Sequence, residues 1–328
     1  MLENYANNLI MPAYEQLFTK TQDLKNTWEL FLAAPDLTGL ENTQDAWEAA
    51  YLAWQAANAY NFGPAEEVGL NKSLVEEIGV FPVDAAGIEN YLSQGATDLN
   101  NADRDTRGFL AIEYLLFRST NDVLLNELQA TDRQNYLTAI IDHLNDKLEA
   151  VVNAWPAFKN EFIENNGTSV GTSTSVLYNE FIRSYETIKN FKVGLPAGKQ
   201  AGQTGPEPDL VESRYAHISL QTLKAHLQTI DAIYYGKGLN GEGIGLHEYL
   251  QNVVGGPELI TSLEIQWANV QAALANVPTD RNFFELVEEE DASISALHTE
   301  LQKHTRFFKS DMSSLLGLAI TFSSNDGD

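Results

Sequence analysis

The 328-residue chain contains no cysteine. Disulfide bonds, thiolate metal ligands and a cysteine nucleophile are therefore excluded. Basic residues are also scarce, since 20 lysines and arginines stand against 46 aspartates and glutamates, giving a formal net charge of −26. Phosphate backbones and anionic lipid surfaces attract basic proteins, so this charge predicts that neither nucleic acid nor an anionic membrane surface is the partner.

Long hydrophobic runs and strand patterns are missing too. No apolar run approaches the length of about 20 residues that spans a bilayer. The first residues, Met1-Leu2-Glu3-Asn4, show no basic segment followed by an apolar one, so no export signal is visible. The alternation of β-branched residues that marks strands is nearly absent. The 44% of hydrophobic residues is nevertheless enough for sizeable cores.

Helical periodicity dominates the chain. Apolar residues at helical spacing predict helices over residues 9–32, 43–60, 107–117, most of 122–164, 177–191, 210–235, 258–275 and 282–318. A polar stretch rich in serine, threonine and asparagine interrupts this pattern just after residue 164. We therefore predict an all-α protein with two helical-bundle domains, residues 1–165 and 166–328.

A faint internal repeat supports two related halves. The segments 108–115 and 243–250 share the pattern GxxxxEYL. Their similar positions in the two halves predict an internal duplication with a pseudo-twofold relation between the two bundles. Chance similarity between helix-rich segments is the alternative explanation.

Metal-binding motifs with histidine are absent. The chain has no HExxH and no Glu-x-x-His, so the patterns of zinc hydrolases and of ferritin-like di-iron bundles are missing. His143 and Asp146 share a helix face, although such pairs are more often solvated than metal-bound.

Two polar groups stand out in this helical chain. Glu113 lies within the apolar run GFLAIEYLLF, where an ionised carboxylate is costly without a partner. We therefore expect Glu113 to face a pocket, bind a cation or lie on a surface stripe, with Arg107 or Arg214 as its neutralising partner. The second group is Glu212-Ser213-Arg214-Tyr215, near the start of a predicted helix, where ordinary helix-start polarity is an equal alternative.

Several blocks, in order along the chain, resemble the imelysin-like family. They are Trp47-x-x-Ala50-Tyr51-x-x-Trp54-Gln55, Phe62-Gly63-Pro64, residues 107–117, Lys192-Val193-Gly194-Leu195-Pro196, Glu212-Ser213-Arg214-Tyr215 and residues 317–328. The family signature GxHxxE falls on residues 108–113, where Gly108 and Glu113 are kept and Leu110 stands at the histidine position.

This resemblance implies two duplicated helical bundles with a pocket between them. It also implies a periplasmic or cell-surface lipoprotein of bacteria, often tied to iron uptake. In this family a signal or a lipid-anchoring cysteine would precede residue 1, and neither is visible here. The resemblance further implies a metallopeptidase label, which rests on the histidine and glutamate of GxHxxE as proposed metal ligands.

Leu110 changes that expectation, because an isobutyl group offers a metal no lone pair. We therefore expect a non-catalytic binding protein for a small ligand, a cation or a protein partner, with no catalytic residue. Glu113 is the one retained metal-ligand candidate, and iron or another divalent cation is the candidate cofactor. The expected ligand-binding residues are Glu113, Gly108, Arg107, Glu212, Ser213, Arg214 and Tyr215. The alternatives are a metallopeptidase with atypical ligands and a structural or interaction protein without a ligand.

Overall fold

The structure, a computed structural model, describes residues 1–66, 73–95, 97–99 and 102–322. The all-α prediction is confirmed, since the strands among these residues form one small hairpin of two-residue strands. Contacts divide the chain into two compact units. The N-terminal unit is Ala13–Phe158, and the C-terminal unit combines Met1–Pro12 with Lys159–Asp328. The predicted domain boundary after residue 165 and the predicted duplication both stay predictions.

The N-terminal unit consists of helices joined by short turns. Its helices are α2 (Met11–Ala33, from residue 13), α3 (Leu37–Ala57), α4 (Leu74–Ile78), α5 (Ala85–Ser93), α6 (Phe109–Phe117), α7 (Asn121–Glu127) and α8 (Thr131–Glu164, up to residue 158). Asp36 caps α3 by accepting a hydrogen bond of 2.7 Å from the amide of Gly39, which satisfies one of the free donors at the helix start.

Aromatic side chains fill the core of this unit. The Trp47 and Tyr51 rings stack with centroids 5.1 Å apart, and Tyr51 lies 5.2 Å from Phe109. The Trp47 indole N–H also donates to the backbone carbonyl of Phe109 at 2.9 Å. The aromatic block of α3 therefore packs against α6 and anchors its first residue.

The C-terminal unit begins with the first residues of the chain. Its elements are α1 (Leu2–Asn4), the π-helical segment Tyr5–Ile10, α9 (Ser173–Thr187), the π-helical segment Ile188–Gly194, α10 (Ser219–Tyr235), β1 (Lys237–Gly238), β2 (Gly241–Glu242), α11 (Leu246–Gln251), α12 (Gly256–Ala275), α13 (Phe283–Glu288), α14 (Ala292–Arg306), the π-helical segment Phe307–Met312 and α15 (Ser313–Leu316). The strands β1 and β2 pair antiparallel. No helix in the described ranges is long and apolar enough to cross a bilayer.

Buried hydroxyl groups tie distant parts of this unit together. The Tyr5 hydroxyl donates to the carbonyl of Ile233 at 2.5 Å and accepts from the amide of Leu246 at 3.0 Å, so the first turn of the chain is fixed to α10 and α11. The Tyr178 hydroxyl donates to the carbonyl of Phe308 at 2.7 Å. That bond satisfies a carbonyl in a π-helical segment, where the regular helical hydrogen-bond pattern changes.

Two predicted helices are shorter than expected. The helix predicted over 282–318 is broken, because Glu290 adopts a left-handed conformation (φ +54°) between α13 and α14. The helix predicted over 210–235 begins only at Ser219. Ser213 and His217 have φ of +53° and +59°, so the preceding residues form turns. Sequence periodicity does not predict these turns because none of the three residues is glycine, the residue that usually marks a positive φ.

The turn at Glu290 provides a test of the break between α13 and α14. Replacing Glu290 with glycine removes the steric cost of the left-handed conformation, which we expect to raise the free energy of unfolding by up to about 1 kcal/mol. Glu288→Gly, at the end of α13, should lower it by about 0.5–1 kcal/mol. Urea denaturation of both variants measures these free energies of unfolding. A Glu290→Gly protein that is less stable than the wild type would contradict the left-handed conformation of Glu290.

Candidate functional site

The signature helix α6 begins at a backbone position that requires glycine. Gly108, the residue before α6, has a φ of +79°. A β-carbon on Gly108 would lie 2.4 Å from the carbonyl oxygen of Ile78, which is far inside contact distance. The glycine therefore lets α6 start directly against the end of α4.

Leu110 and Glu113 lie three residues apart on α6 and so occupy neighbouring positions on the helix surface. Both are buried, with exposed fractions of 3% for Leu110 and 2% for Glu113. A hydrocarbon side chain thus stands one turn from the carboxylate, where the signature has histidine. The segment 243–250, which shares the pattern GxxxxEYL, places its glutamate differently. Glu248 lies in the first turn of α11 and accepts a hydrogen bond from the Gly245 amide at 2.8 Å.

Arg107 precedes the signature glycine and forms a buried ion pair. Its Nη2 lies 3.1 Å from Oε2 of Glu77 on α4, and both side chains are at most 4% exposed. Its Nη1 donates to the carbonyl of Leu99 at 2.7 Å. The same Glu77 oxygen is 2.9 Å from Nε2 of His143 on α8. Arg107, Glu77 and His143 therefore link the start of α6 to α4 and α8.

Electrostatics favours the ionised form of Glu77. Burial by itself would raise the pKa of Glu77, but the hydrogen bond to His143 and the positive charge of Arg107 outweigh it and lower that pKa below its usual value. The sequence predicts neither the pairing of Glu77 with Arg107 nor the contact of Glu77 with His143. His143 pairs with Glu77 rather than forming a site with Asp146, and a glutamate 30 residues before the arginine gives no signal in the sequence.

The second predicted group, in the C-terminal unit, surrounds a buried lysine. Lys192, in the π-helical segment Ile188–Gly194, places its Nζ 2.5 Å from Oε2 of Glu212. Thr222 on α10 donates to the same oxygen at 3.2 Å. Burial lowers the pKa of Lys192, while the carboxylate of Glu212 acts in the opposite direction. In the sequence, Lys192 stands out only as part of a block that resembles the family. The sequence therefore does not predict it as the partner of Glu212.

The four residues Glu212 to Tyr215 separate into two environments. The buried Ser213 hydroxyl has no hydrogen-bond partner among the residues that the structure describes. The Arg214 guanidinium instead pairs with Asp209, donates to the Tyr215 hydroxyl at 2.8 Å and lies 4.6 Å from the centre of the Tyr215 ring. Arg107 and Arg214 thus pair with Glu77 and Asp209, and the expectation that one of these arginines neutralises Glu113 stays a prediction.

A neutral histidine lies close to the Lys192 pair. The Ser184 hydroxyl on α9 is 2.6 Å from Nε2 of His226 on α10. Burial, together with the nearby charge of Lys192, holds the pKa of His226 well below its usual value. His226 is therefore uncharged at neutral pH, and it lies with the Ser184 hydroxyl beside the Lys192–Glu212 ion pair. Neither Ser184 nor His226 was expected as a site residue.

Among the described residues, no three histidine, aspartate or glutamate side chains come together as a metal-binding group. Glu113 remains the metal-ligand candidate of the signature helix, and its role there stays a prediction.

Comparison with known proteins establishes the family. The model of the imelysin family, described as a peptidase family, matches residues 10–306. The chain belongs to the imelysin family. The match spans α6 and the segment Glu212 to Tyr215, so both predicted groups lie inside the family region.

Relatives of this imelysin family member are distant in sequence but close in fold. Iron-regulated protein A of Synechococcus elongatus is 23% identical over 289 residues, covering 84% of this chain and 75% of the relative. The crystal structure of a candidate iron-regulated protein A precursor from Parabacteroides distasonis has a TM-score of 0.78 at 18% identity, covering 96% of this chain and 94% of that one. An imelysin-like protein from Psychrobacter arcticum has a TM-score of 0.77 at 20% identity, covering 98% and 96%.

The Arg107–Glu77 pair makes a prediction about stability. Arg107→Ala leaves the Glu77 carboxylate buried without that cation, so we expect the free energy of unfolding to fall by about 3–5 kcal/mol. The matched control is Arg104→Ala, which removes the exposed ion pair to Glu76 and should cost at most about 1 kcal/mol. Urea denaturation at pH 7 measures both, and equal losses would show that the buried pair carries no special weight.

His226 makes a prediction about pH. Its folded-state pKa is lowered, so protons bind the unfolded chain first as the pH drops through about 6.5. Between pH 7 and pH 5 this histidine should therefore reduce the free energy of unfolding by about 2 kcal/mol. The His226→Gln variant should not show this fall in the free energy of unfolding between pH 7 and pH 5. The control variant His217→Gln, at an exposed position, should show the same fall as the wild type. An unchanged pH dependence in His226→Gln would contradict a neutral buried imidazole.

Proposed function

We propose that this imelysin family member is a non-catalytic binding protein of the bacterial periplasm or cell surface, with a role linked to iron uptake. The observation that carries the proposal is the buried Leu110, one turn from Glu113 on α6. A catalytic zinc site of the usual kind needs three protein ligands and a bound water. Because leucine supplies no lone pair, α6 offers a single carboxylate instead of the histidine–glutamate pair.

The link to iron uptake and the location come from similarity. The relative from Synechococcus elongatus is named for its regulation by iron, and the family match covers most of this chain. The finding that no described helix could span a bilayer is compatible with a protein exported to the periplasm or tethered there by a lipid.

Glu113 is the proposed polar anchor for the ligand. An ionised carboxyl group at 2% exposure is costly unless other groups compensate its charge. Gly108 and Arg107 are proposed to position α6, since one permits its close start against Ile78 and the other fixes that start to Glu77 and Leu99. In the C-terminal unit, the segment Glu212, Ser213, Arg214 and Tyr215 is proposed as the second binding segment, with half-exposed Arg214 and Tyr215 available to a ligand.

The test combines a peptidase assay with metal titration. The purified chain, supplied with zinc or iron, should not cleave an unfolded protein substrate, and its metal content after dialysis should stay well below one ion per chain. Restoring the signature by Leu110→His should raise zinc affinity at least tenfold, which is about 1.4 kcal/mol. Leu110→Gln is the matched control, because it makes the same buried position polar without an imidazole.

Two outcomes would contradict the proposal. The first is cleavage by the wild-type chain that is lost in Glu113→Gln. The second is one tightly bound metal ion per wild-type chain that is lost in the same variant. Circular dichroism of each variant shows whether the helical fold is kept.

A further inference from the structure

A small aromatic pocket lies within the C-terminal unit, where α10, α12, α14 and the π-helical segment Phe307–Met312 meet. Its volume is about 10 Å³, which is room for one group of the size of a water molecule. Most of its wall is built from the rings of five side chains: Tyr235, Tyr234, Phe308, His304 and Trp267.

These five rings form a continuous row. In the order just given, the centroids of neighbouring rings are 4.9, 5.9, 4.7 and 5.4 Å apart. His304 brings no positive charge into the row at neutral pH, because burial lowers its pKa to about 3. The face of an aromatic ring is the negative end of its quadrupole, so a pocket walled by rings attracts a cation.

A carboxylate lies at each end of this row of rings. The Trp267 indole donates a hydrogen bond to Asp231. The Tyr235 hydroxyl donates to Oε1 of Glu264 at 3.5 Å. Asp231 and Glu264 both line the pocket, and the described residues of its wall include no lysine or arginine. Burial raises the pKa of Asp231, so a cation bound beside this carboxylate would stabilise its ionised form.

The hydroxyl of Tyr234 adds a polar group that lacks a partner. Tyr234 is 6% exposed, and its buried hydroxyl has no hydrogen-bond partner among the residues that the structure describes. Burial raises the pKa of Tyr234, and the negative charges of Glu264 and Glu248 act in the same direction, so the phenol stays protonated. Its oxygen can still accept a hydrogen bond from a donor that enters the pocket.

The charged groups just outside the pocket leave its surroundings acidic. The exposed Lys237 places its Nζ 5.2 Å from the centre of the first ring of the row. His247 lies 3.0 Å from Oε1 of Glu248 and 3.9 Å from Oε1 of Glu264. Even with His247 protonated, these two cations stand against three carboxylates, the two of the wall and Glu248. A ligand with a positive charge is therefore favoured over an anion.

A wider groove adjoins the pocket and shares Asp231 and Trp267 with it. The volume of this groove is about 480 Å³, within the range of small-molecule sites. Leu227 and Leu274 give it an apolar surface, and Lys224 also lines it. The apolar surface suits a hydrocarbon stem, whereas the lysine would repel a second positive charge on the same ligand.

We propose that the pocket binds the ammonium head of a small aliphatic primary amine, whose hydrocarbon stem lies in the adjoining groove. A primary ammonium group is about as large as a water molecule, whereas a quaternary ammonium group exceeds the volume of the pocket. Its N–H groups can donate to Asp231 and to the Tyr234 hydroxyl, while the rings face its charge. The inference does not depend on the proposed role of Glu113, which belongs to the other unit.

Isothermal titration calorimetry of the whole chain at low ionic strength tests this proposal with three probes. Hexylamine, which is protonated at pH 7, should bind to one site per chain with a dissociation constant of about 1 mM or lower. The neutral alcohol 1-hexanol has the same stem without the charge, and tetramethylammonium has the charge in a larger head. Both should bind roughly tenfold more weakly or worse.

The double variant Asp231→Asn/Glu264→Gln should weaken the binding of hexylamine by roughly tenfold or more, because it removes both carboxylates of the wall and keeps their size. The matched control is Glu258→Gln/Asp280→Asn, which removes two exposed carboxylates of the same unit outside the pocket. It should change the dissociation constant less than about twofold.

Four results would overturn the proposal. They are a weaker affinity for hexylamine than stated, equal binding of 1-hexanol or tetramethylammonium, unchanged binding by the pocket variant, and an equal loss in the control variant. The comparison of the three probes uses the wild-type chain, so it remains decisive if the pocket variant does not fold. None of these readouts involves metal content or cleavage, which separates them from the tests on α6.

Discussion

The pairing of buried charges is the constraint on which the described structure depends. A helical protein of this composition has apolar surface to bury, but charged groups also enter its cores, and each needs a partner. In the N-terminal unit Arg107 and Glu77 meet this need and tie the start of α6 to α4. In the C-terminal unit Lys192 and Glu212 do so and fix the turn before α10 to a π-helical segment.

These pairs explain why the residues around them have unusual backbones. Gly108 starts α6 against the carbonyl of Ile78, immediately after the arginine that is fixed to Glu77. Ser213, next to Glu212, adopts a positive φ although it is not glycine. Strain of this kind persists only where surrounding contacts hold it, and the contacts here include the Lys192–Glu212 ion pair and the bond from Thr222.

Membership of the imelysin family does not by itself transfer a peptidase activity to this chain. The family signature keeps its glycine and glutamate here, and its histidine position is a buried leucine. The fold is shared with two solved structures that are 18% and 20% identical to this chain, and a likeness of fold at that identity does not carry site residues over.

The sequence alone determined the helical class and the family, because hydrophobic periodicity and ordered short blocks are local properties. It also identified Gly108, Leu110 and Glu113 as the signature positions. Tertiary structure alone decided which charges pair. Glu77 reaches Arg107 from a helix 30 residues before it, and His143, 36 residues after the arginine, reaches the same Glu77. It also turned residues 211–218 out of the predicted helix, since contacts between distant residues override local propensity.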